Sequence, residues 1–127
     1  MEKDKRLAAT ARLLEVMNTL RRECPWDREQ TFDSLRSNTI EETYELADAI
    51  TDHNMEGIKE ELGDLLFSAV NVSRFVKVDT EEALNGATDK FIGRFRKVEE
   101  EAARQGRTLE GMSLAELDKL WEHAKET

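Results

Sequence analysis

The chain has 127 residues, with 28 acidic and 19 basic side chains and a formal net charge of −9. This length suits one hydrophobic core, so we predict a single domain over residues 1–127. The negative charge argues against nonspecific binding to a phosphate backbone but is compatible with anions bridged by a metal, so we expect no nucleic acid as the main partner. No stretch approaches the roughly 20 apolar residues that cross a bilayer, so we expect no membrane partner and a cytoplasmic protein.

The composition is rich in Leu, Ala, Glu, Lys and Arg, with one proline and six glycines, which favours long helices over a sheet. We predict five helices and no strand. The first is expected over about residues 4–22, because its apolar residues recur every three or four positions. These residues are Leu7, Ala11, Leu14, Met17 and Leu20. Pro25 then places residues 24–27 in a connection.

The middle of the chain is expected to form helices two and three. Helix two should begin near Thr31 or Phe32 and end before residues 51–54, and helix three should run from Met55 to about Val76. The inward stripe of helix two is predicted to be Ile40, Ala47 and Ile50, with Thr43 or Tyr44 between them. The apolar face of helix three is predicted to be Ile58, Leu62, Leu65, Leu66, Ala69 and Val72.

Two capping signals mark the starts of helices four and five. Asp79 with Glu82, and Ser113 with Glu116, each place an N-cap oxygen three residues ahead of a carboxylate that can reach back to the cap amide. Gly106 lies in the connection between these helices. Helix four is expected to present Ala83, Leu84, Ala87, Phe91, Phe95 and Val98 to a core.

Acidic residues recur on helices two and three. Helix two contains Glu41-Glu42-Thr43-Tyr44-Glu45, and helix three contains Glu60-Glu61-Leu62-Gly63-Asp64. Carboxylates therefore stand three or four residues apart on each helix, where like charges destabilise it by about 0.2 to 0.5 kcal/mol per pair. If the helices pack antiparallel, the two clusters can meet and offer oxygen ligands to a hard cation such as magnesium, with manganese as a substitute.

These acidic residues have two other interpretations. An ordinary solvated acidic face is the more common meaning of a single Glu-Glu-x-x-Glu, although two such clusters on consecutive helices are less expected as surface residues. A redox di-iron bundle needs Glu-x-x-His pairs. Neither His53 nor His123 follows a glutamate at that spacing, so the di-iron interpretation fails.

Basic and aromatic residues follow on helices four and five. Lys90, Arg94 and Lys97 recur on one side of helix four, where they either contact phosphates or form a solvated stripe that pairs with neighbouring glutamates. Trp121 and Lys125 share a face of helix five, where the indole can stack on a base and the ammonium can meet phosphate. Alternatively, Trp121 anchors this helix to the core.

Together these motifs resemble the MazG family of nucleoside triphosphate pyrophosphohydrolases, within the all-α superfamily that includes dimeric dUTPases and phosphoribosyl-ATP pyrophosphatases. The resemblance covers nearly the whole chain. Besides the two acidic motifs, it rests on Cys24-Pro25-Trp26-Asp27 with Gln30-Thr31, Leu65-Leu66-Phe67, Lys90-Phe91, Arg94-Phe95, Val98-Glu99, Leu120-Trp121 and Ala124-Lys125. A departure occurs at Thr88, where similar sequences often have asparagine, which bears on sugar or base selection.

The resemblance implies a MazG-like all-α bundle of about five helices, with the acidic metal site on helices two and three. It implies that Glu41 orients or deprotonates the attacking water. The magnesium ligands that it implies are Glu42, Glu45, Glu61 and Asp64. The phosphate contacts that it implies are Lys90, Arg94 and Lys125, with Trp121 in the nucleotide pocket.

We therefore predict magnesium-dependent hydrolysis of ribo- or deoxyribonucleoside triphosphates to nucleoside monophosphate and pyrophosphate, for nucleotide-pool cleaning or regulation. A homodimer or homotetramer is expected, because association would bury apolar faces that one chain leaves exposed. The competing hypothesis is a noncatalytic acidic helical module that binds a protein partner or senses nucleotides.

Overall fold

The computed structural model describes residues 2–23 and 29–126, and the regular structure within these ranges is entirely helical. The helices are α1 (Glu2–Glu23), α2 (Phe32–Thr51), α3 (Met55–Phe75), α4 (Thr80–Arg104) and α5 (Leu114–Glu126), with a short 3-10 helix at Leu109–Gly111. The predicted all-α fold with five long helices is confirmed. The predicted connection at residues 24–27 lies outside the described residues.

The helices form two compact units. The first unit contains α1, α2 and α3, and the second contains nearly all of α4 with the 3-10 helix and α5. The prediction of one domain over residues 1–127 stays a prediction. No helix in the described part of the chain combines the length and the apolar character that crossing a membrane requires.

In the first unit, α3 packs against both α1 and α2. Met17 on α1 is fully buried, and Ser68 and Asn71 of α3 are buried as well. Residues 52–54 join α2 to α3, and His53 there adopts a left-handed φ of 54°. Asn54 then caps α3 by accepting a hydrogen bond from Gly57 N at 3.1 Å. This tight reversal places the two acidic helices side by side.

The inward face of α2 differs from the predicted one. Ile40, Tyr44 and Ile50 are 39%, 68% and 53% exposed, and Ala47 is also exposed. The buried and half-buried residues of α2 are instead Leu35, Thr39, Glu42, Glu45, Leu46 and Ala49. The predicted apolar stripe is therefore wrong for this chain, because α2 turns its carboxylates toward α3 and leaves the isoleucines outside.

The apolar faces predicted for α3 and α4 are correct only in part. On α3, Leu62 and Leu66 are 46% and 56% exposed. On α4 the first half is exposed, including Ala83, Leu84, Ala87 and Phe91. The second unit has its core farther along, at Val98, Ala102, Met112, Leu120 and Ala124. Helix α5 has 13 residues against the 25 of α4, so within this unit it is too short to cover the whole of α4.

The capping box predicted at Ser113 and Glu116 is confirmed. Ser113 N donates to Glu116 Oε1 at 3.0 Å, and Glu116 N donates to Ser113 Oγ at 3.2 Å. Helix α4 starts at Thr80, directly after the predicted cap Asp79. It ends near Gly106, whose φ of 67° is left-handed and therefore favours glycine.

Candidate metal centre

Polar side chains meet along the contact between α2 and α3. Asn38 Nδ2 donates to Ser68 Oγ at 2.8 Å. The helices run antiparallel. Residues three or four positions apart on α2 therefore face residues three or four positions apart on α3, in the opposite chain direction. The resulting pairs, named the polar ladder, are Glu45 with Glu61, Glu42 with Asp64, and Asn38 with Ser68.

Three carboxylates converge at one end of the polar ladder. Glu42, Glu45 and Glu61 are half-buried, and one oxygen from each lies within 4.8 Å of the other two. Oε2 of Glu42 and Oε2 of Glu61 are buried, and neither has a hydrogen-bond partner among the described residues. Buried carboxylate oxygens without partners are unfavourable. Protonation or a bound cation would therefore stabilise this cluster.

Electrostatics in the cluster favour protonation of two of its members. Burial raises the pKa of Glu42, and the nearby charges, first that of Glu45, raise it further. Burial also raises the pKa of Glu61, followed by its hydrogen bond to Glu45. A divalent cation would replace this repulsion with attraction. Carboxylate oxygens are the ligands that magnesium and manganese prefer, so the cluster fits such an ion.

The two remaining acidic site residues lie at the edge of the cluster. Asp64 is exposed, and its charge contributes to the raised pKa values of Glu42 and Glu61. It is not among the three residues whose oxygens converge. Glu41 is exposed beside Glu42. The ligand set and the role of Glu41 in orienting water stay predictions.

A pocket of about 430 Å³ adjoins the carboxylates. This volume lies within the range of roughly 300 to 1,000 Å³ that is usual for small-molecule sites. The lining residues are Leu20, Gln30, Ser34, Asn38, Glu42, Asp64, Phe67, Ser68 and Asn71. The pocket thus joins two carboxylates to a set of amide and hydroxyl groups, all within the first unit.

Among the amide and hydroxyl residues of this pocket, only Gln30 belongs to a motif named from the sequence, and none was predicted as a site residue. A signal was present, because Ser34 and Asn38 precede Glu42 at four-residue intervals on α2. Ser68 and Asn71 likewise follow the second acidic motif at helical spacing on α3. Once the acidic residues are assigned to facing sides of two helices, the same periodicity brings these four residues into line with them.

Trp121, predicted to bind nucleotide, packs within the second unit. Its ring centroid lies 5.5 Å from that of Phe91 and 6.2 Å from that of Phe95. It also packs against the core of this unit. These contacts fit the alternative in which Trp121 anchors the last helix, and a nucleotide contact by its indole stays a prediction.

The basic residues predicted to bind phosphate also belong to the second unit. Lys90 is exposed on α4, and Arg94 is half-buried one turn later. Lys125 on α5 is exposed, and its Nζ lies 3.3 Å from Glu122 Oε1. Such an exposed pair is weak and does not prevent Lys125 from contacting an anion. The phosphate contacts stay predictions.

Comparison with known proteins identifies relatives of the chain. The nucleoside triphosphate pyrophosphohydrolase/pyrophosphatase MazG of Thermotoga maritima is 49% identical over 85 residues, which are 67% of this chain and 32% of that protein. The nucleoside triphosphate pyrophosphohydrolase of Mycobacterium tuberculosis is 36% identical over 137 residues, covering 94% of this chain and 41% of that protein. The chain thus spans less than half the length of these relatives.

A solved structure and a family model also match this chain. The crystal structure of a mazG-related protein from Thermotoga maritima superposes with a TM-score of 0.70 and 27% identity, covering 92% of this chain and 99% of that one. Residues 30–99, which contain both acidic motifs, match the MazG nucleotide pyrophosphohydrolase domain. The enzyme class predicted from the sequence is the one that this description names. The chain belongs to the MazG nucleotide pyrophosphohydrolase domain family.

Proposed function

We propose that the protein hydrolyses nucleoside triphosphates to nucleoside monophosphate and pyrophosphate in the presence of magnesium. The observation that carries this proposal is the convergence of Glu42, Glu45 and Glu61, with two buried oxygens that have no partner in the described chain. A purely solvated acidic face would leave such oxygens in water. Membership of the family supports the reaction class.

The acidic residues have two parts in the proposed reaction. Glu42, Glu45, Glu61 and Asp64 would hold the cation, which would offset the negative charge of the triphosphate and stabilise the charge of the transition state. Glu41 is exposed, so its oxygens are accessible to water. We assign it to orienting the attacking water and accepting its proton as the water oxygen bonds to phosphorus and pyrophosphate leaves.

Basic and aromatic residues of α4 and α5 have proposed roles in binding the substrate. Lys90, Arg94 and Lys125 are assigned to the phosphate oxygens that the cation does not reach, and Trp121 to the nucleotide pocket. Their charges and the planar indole suit these roles. The physiological role in nucleotide-pool cleaning or regulation, and the cytoplasmic location, are part of the same proposal.

A homodimer or homotetramer is also proposed. Leu62, Leu66, Leu84 and Phe91 are between 46% and 63% exposed. A single chain leaves these apolar side chains in water, and association would bury them. This exposure on two successive helices supports the predicted self-association.

The reaction is tested by incubating the protein with each common ribo- and deoxyribonucleoside triphosphate, with magnesium or with EDTA, and resolving the products. We expect magnesium-dependent monophosphate and pyrophosphate. Glu42→Gln should lower the rate by more than about 100-fold. Glu15→Gln, which changes an exposed glutamate of α1, is the matched control and should retain the rate.

Two results would contradict the proposal. If the folded protein turns over no nucleotide, the noncatalytic binding module becomes the better hypothesis. If hydrolysis proceeds equally in EDTA, the assignment of the carboxylates to a cation is wrong.

A further inference from the structure

Two amide side chains form a pair in the wall of the pocket beside the carboxylates. Asn71 Nδ2 donates to Gln30 Oε1 at 3.1 Å, and both residues line the pocket. Asn71 is only 7% exposed, and its Oδ1 is buried without a hydrogen-bond partner among the described residues. Gln30 is half-buried. These two residues are named the amide pair.

The hydrogen bonding of the amide pair is the same in two orientations. In the first, Asn71 Nδ2 donates to Gln30 Oε1 and the Asn71 oxygen is left without a partner. If both amides turn by 180°, Gln30 Nε2 donates to Asn71 Oδ1 and the Asn71 nitrogen is left without a partner. Each orientation keeps one amide–amide bond and leaves one Asn71 atom without a partner among the described residues, so the number of hydrogen bonds does not select between them. Turning only one amide breaks the bond, so the two must turn together.

The orientation determines what Gln30 offers to the pocket. In the first orientation the amide nitrogen of Gln30 is available as a donor, and in the second its oxygen is available as an acceptor. Keto oxygens of bases accept hydrogen bonds, whereas exocyclic amino groups donate them. The amide pair can therefore match either kind of base, provided that the base reaches Gln30.

The pocket lies where the base of a nucleotide would reach Gln30 if its phosphates were bound at the carboxylates. Asp64 and Asn71 are two helical turns apart on α3, about 10 Å along the axis, which is on the order of the length of a nucleoside monophosphate. Phe67, 41% exposed, and Leu20 give the pocket apolar wall surface on which a planar base can lie. Phosphates near Asp64 would direct the nucleoside along the same face of α3.

We propose that this pocket binds the base of the nucleotide and that the amide pair acts as an orientation switch, which lets one site accept amino and keto bases alike. Gln30 contacts the base, and Asn71 is a positioning residue that acts through Gln30. This inference rests on the proposed function and adds how the site treats the base.

Asn71→Asp tests the switch by changing the hydrogen-bond partner of Gln30 and leaving Gln30 itself unchanged. A carboxylate at position 71 only accepts, so it should hold Gln30 Nε2 and turn Gln30 Oε1 toward the pocket. An acceptor there favours amino bases. Gln30→Glu should produce the same preference directly, which keeps the test valid if Asn71→Asp does not fold. Asn18→Asp, on an exposed position of α1 outside this pocket, is the matched control.

Binding of nucleoside monophosphates is the readout, because it does not depend on turnover. The matched pairs are AMP with IMP and dCMP with dUMP, which differ in an amino or a keto group, measured by calorimetry in magnesium buffer at pH 8. For the unchanged protein we expect dissociation constants within about fivefold in each pair. For Asn71→Asp or Gln30→Glu we expect the amino base to bind roughly tenfold more tightly in at least one pair, the effect of one hydrogen bond.

Three outcomes would overturn the inference. The first is a difference of more than about fivefold between the dissociation constants of a pair in the unchanged protein. The second is that neither variant shifts this ratio by at least fivefold toward the amino base. The third is that no monophosphate binds. The hydrolysis assay reports separately on the proposed function. Pyrophosphate release with unshifted ratios would reject only the switch, and shifted ratios without turnover would reject only the hydrolysis.

Discussion

At the scale of single residues, the acidic site is unfavourable for folding in the absence of a cation. Glu42 and Glu61 each have a buried oxygen without a hydrogen-bond partner in residues 2–23 and 29–126, and burial with neighbouring charge raises the pKa of both. A raised pKa in the folded state means that ionisation opposes folding. Stability of the metal-free protein should therefore fall as the pH rises from the ordinary value of 4.5 through the raised pKa values.

Neutral variants should consequently stabilise the metal-free protein. At pH 8 in EDTA, Glu42→Gln or Glu61→Gln is expected to raise the midpoint of thermal unfolding by a few degrees, because an amide removes one repelling charge and can donate to a neighbouring carboxylate. In magnesium the unchanged protein should gain stability, and the variants should gain much less. Glu15→Gln should change neither result. Lower midpoints for both variants in EDTA would contradict this account of the cluster.

At the scale of elements, one carboxylate connects the start of α5 to the segment before it. Glu116 completes the capping box with Ser113 and also accepts hydrogen bonds from the Arg107 guanidinium through both oxygens. Arg107 donates as well to Gly111 O at 3.1 Å. The hydrogen bonds from Arg107, then those from Ser113, lower the pKa of Glu116 to about 2.

This lowered pKa predicts a pH-dependent contribution to stability. The contribution of ionised Glu116 should be complete above its ordinary pKa of 4.5 and should be lost as the pH falls toward 2. Urea unfolding of the unchanged protein and of Glu116→Gln, compared from pH 7 down to pH 2.5, measures it. The difference in unfolding free energy should be greatest at neutral pH and should shrink on acidification. Glu110→Gln, in the adjacent 3-10 helix, is the control, and a pH-independent difference for Glu116→Gln would be the contrary result.

The sequence predicted the helices better than the faces that they bury. Helix starts were predictable where a local signal exists, as with the Ser113 cap. The orientation of α2 was not, because its isoleucines and its carboxylates both follow a helical period, and periodicity alone does not decide which side meets α3. Of the candidate site, the clustering of acidic residues predicted the convergence of Glu42, Glu45 and Glu61. Gln30, although part of a recognised motif, and Asn71 were not predicted as site residues, because only the fold brings these two amides into contact.

At the scale of the whole molecule, the exposed apolar residues predict association. The chain has a mass of 14.6 kDa. Its exposed side chains include Leu66, at 56%, and Phe91, at 57%. A helix that exposes an apolar face to water in a single chain commonly packs that face against another subunit.

Sedimentation at micromolar protein should give a multiple of 14.6 kDa. Leu66→Glu places a charge on the exposed apolar side of α3 and should shift the protein toward the monomer. Leu114→Glu makes the same exchange at the start of α5, where Leu114 is 81% exposed, and tests whether association depends on α3 in particular or on any exposed apolar side chain. A monomer for the unchanged protein, or an unaltered mass for Leu66→Glu, would count against association through this side of α3.

The regular spacing of the pairs in the polar ladder also limits where residues can be inserted or deleted. One residue inserted into α3 between Asp64 and Ser68 would turn everything beyond it by about 100°. Asn38 would then lose its partner while the carboxylates stayed in place. An insertion among residues 52–54 instead leaves the spacing within both helices untouched. Length variation among natural versions of this domain should therefore occur in that turn and be rare between the carboxylates and Asn71.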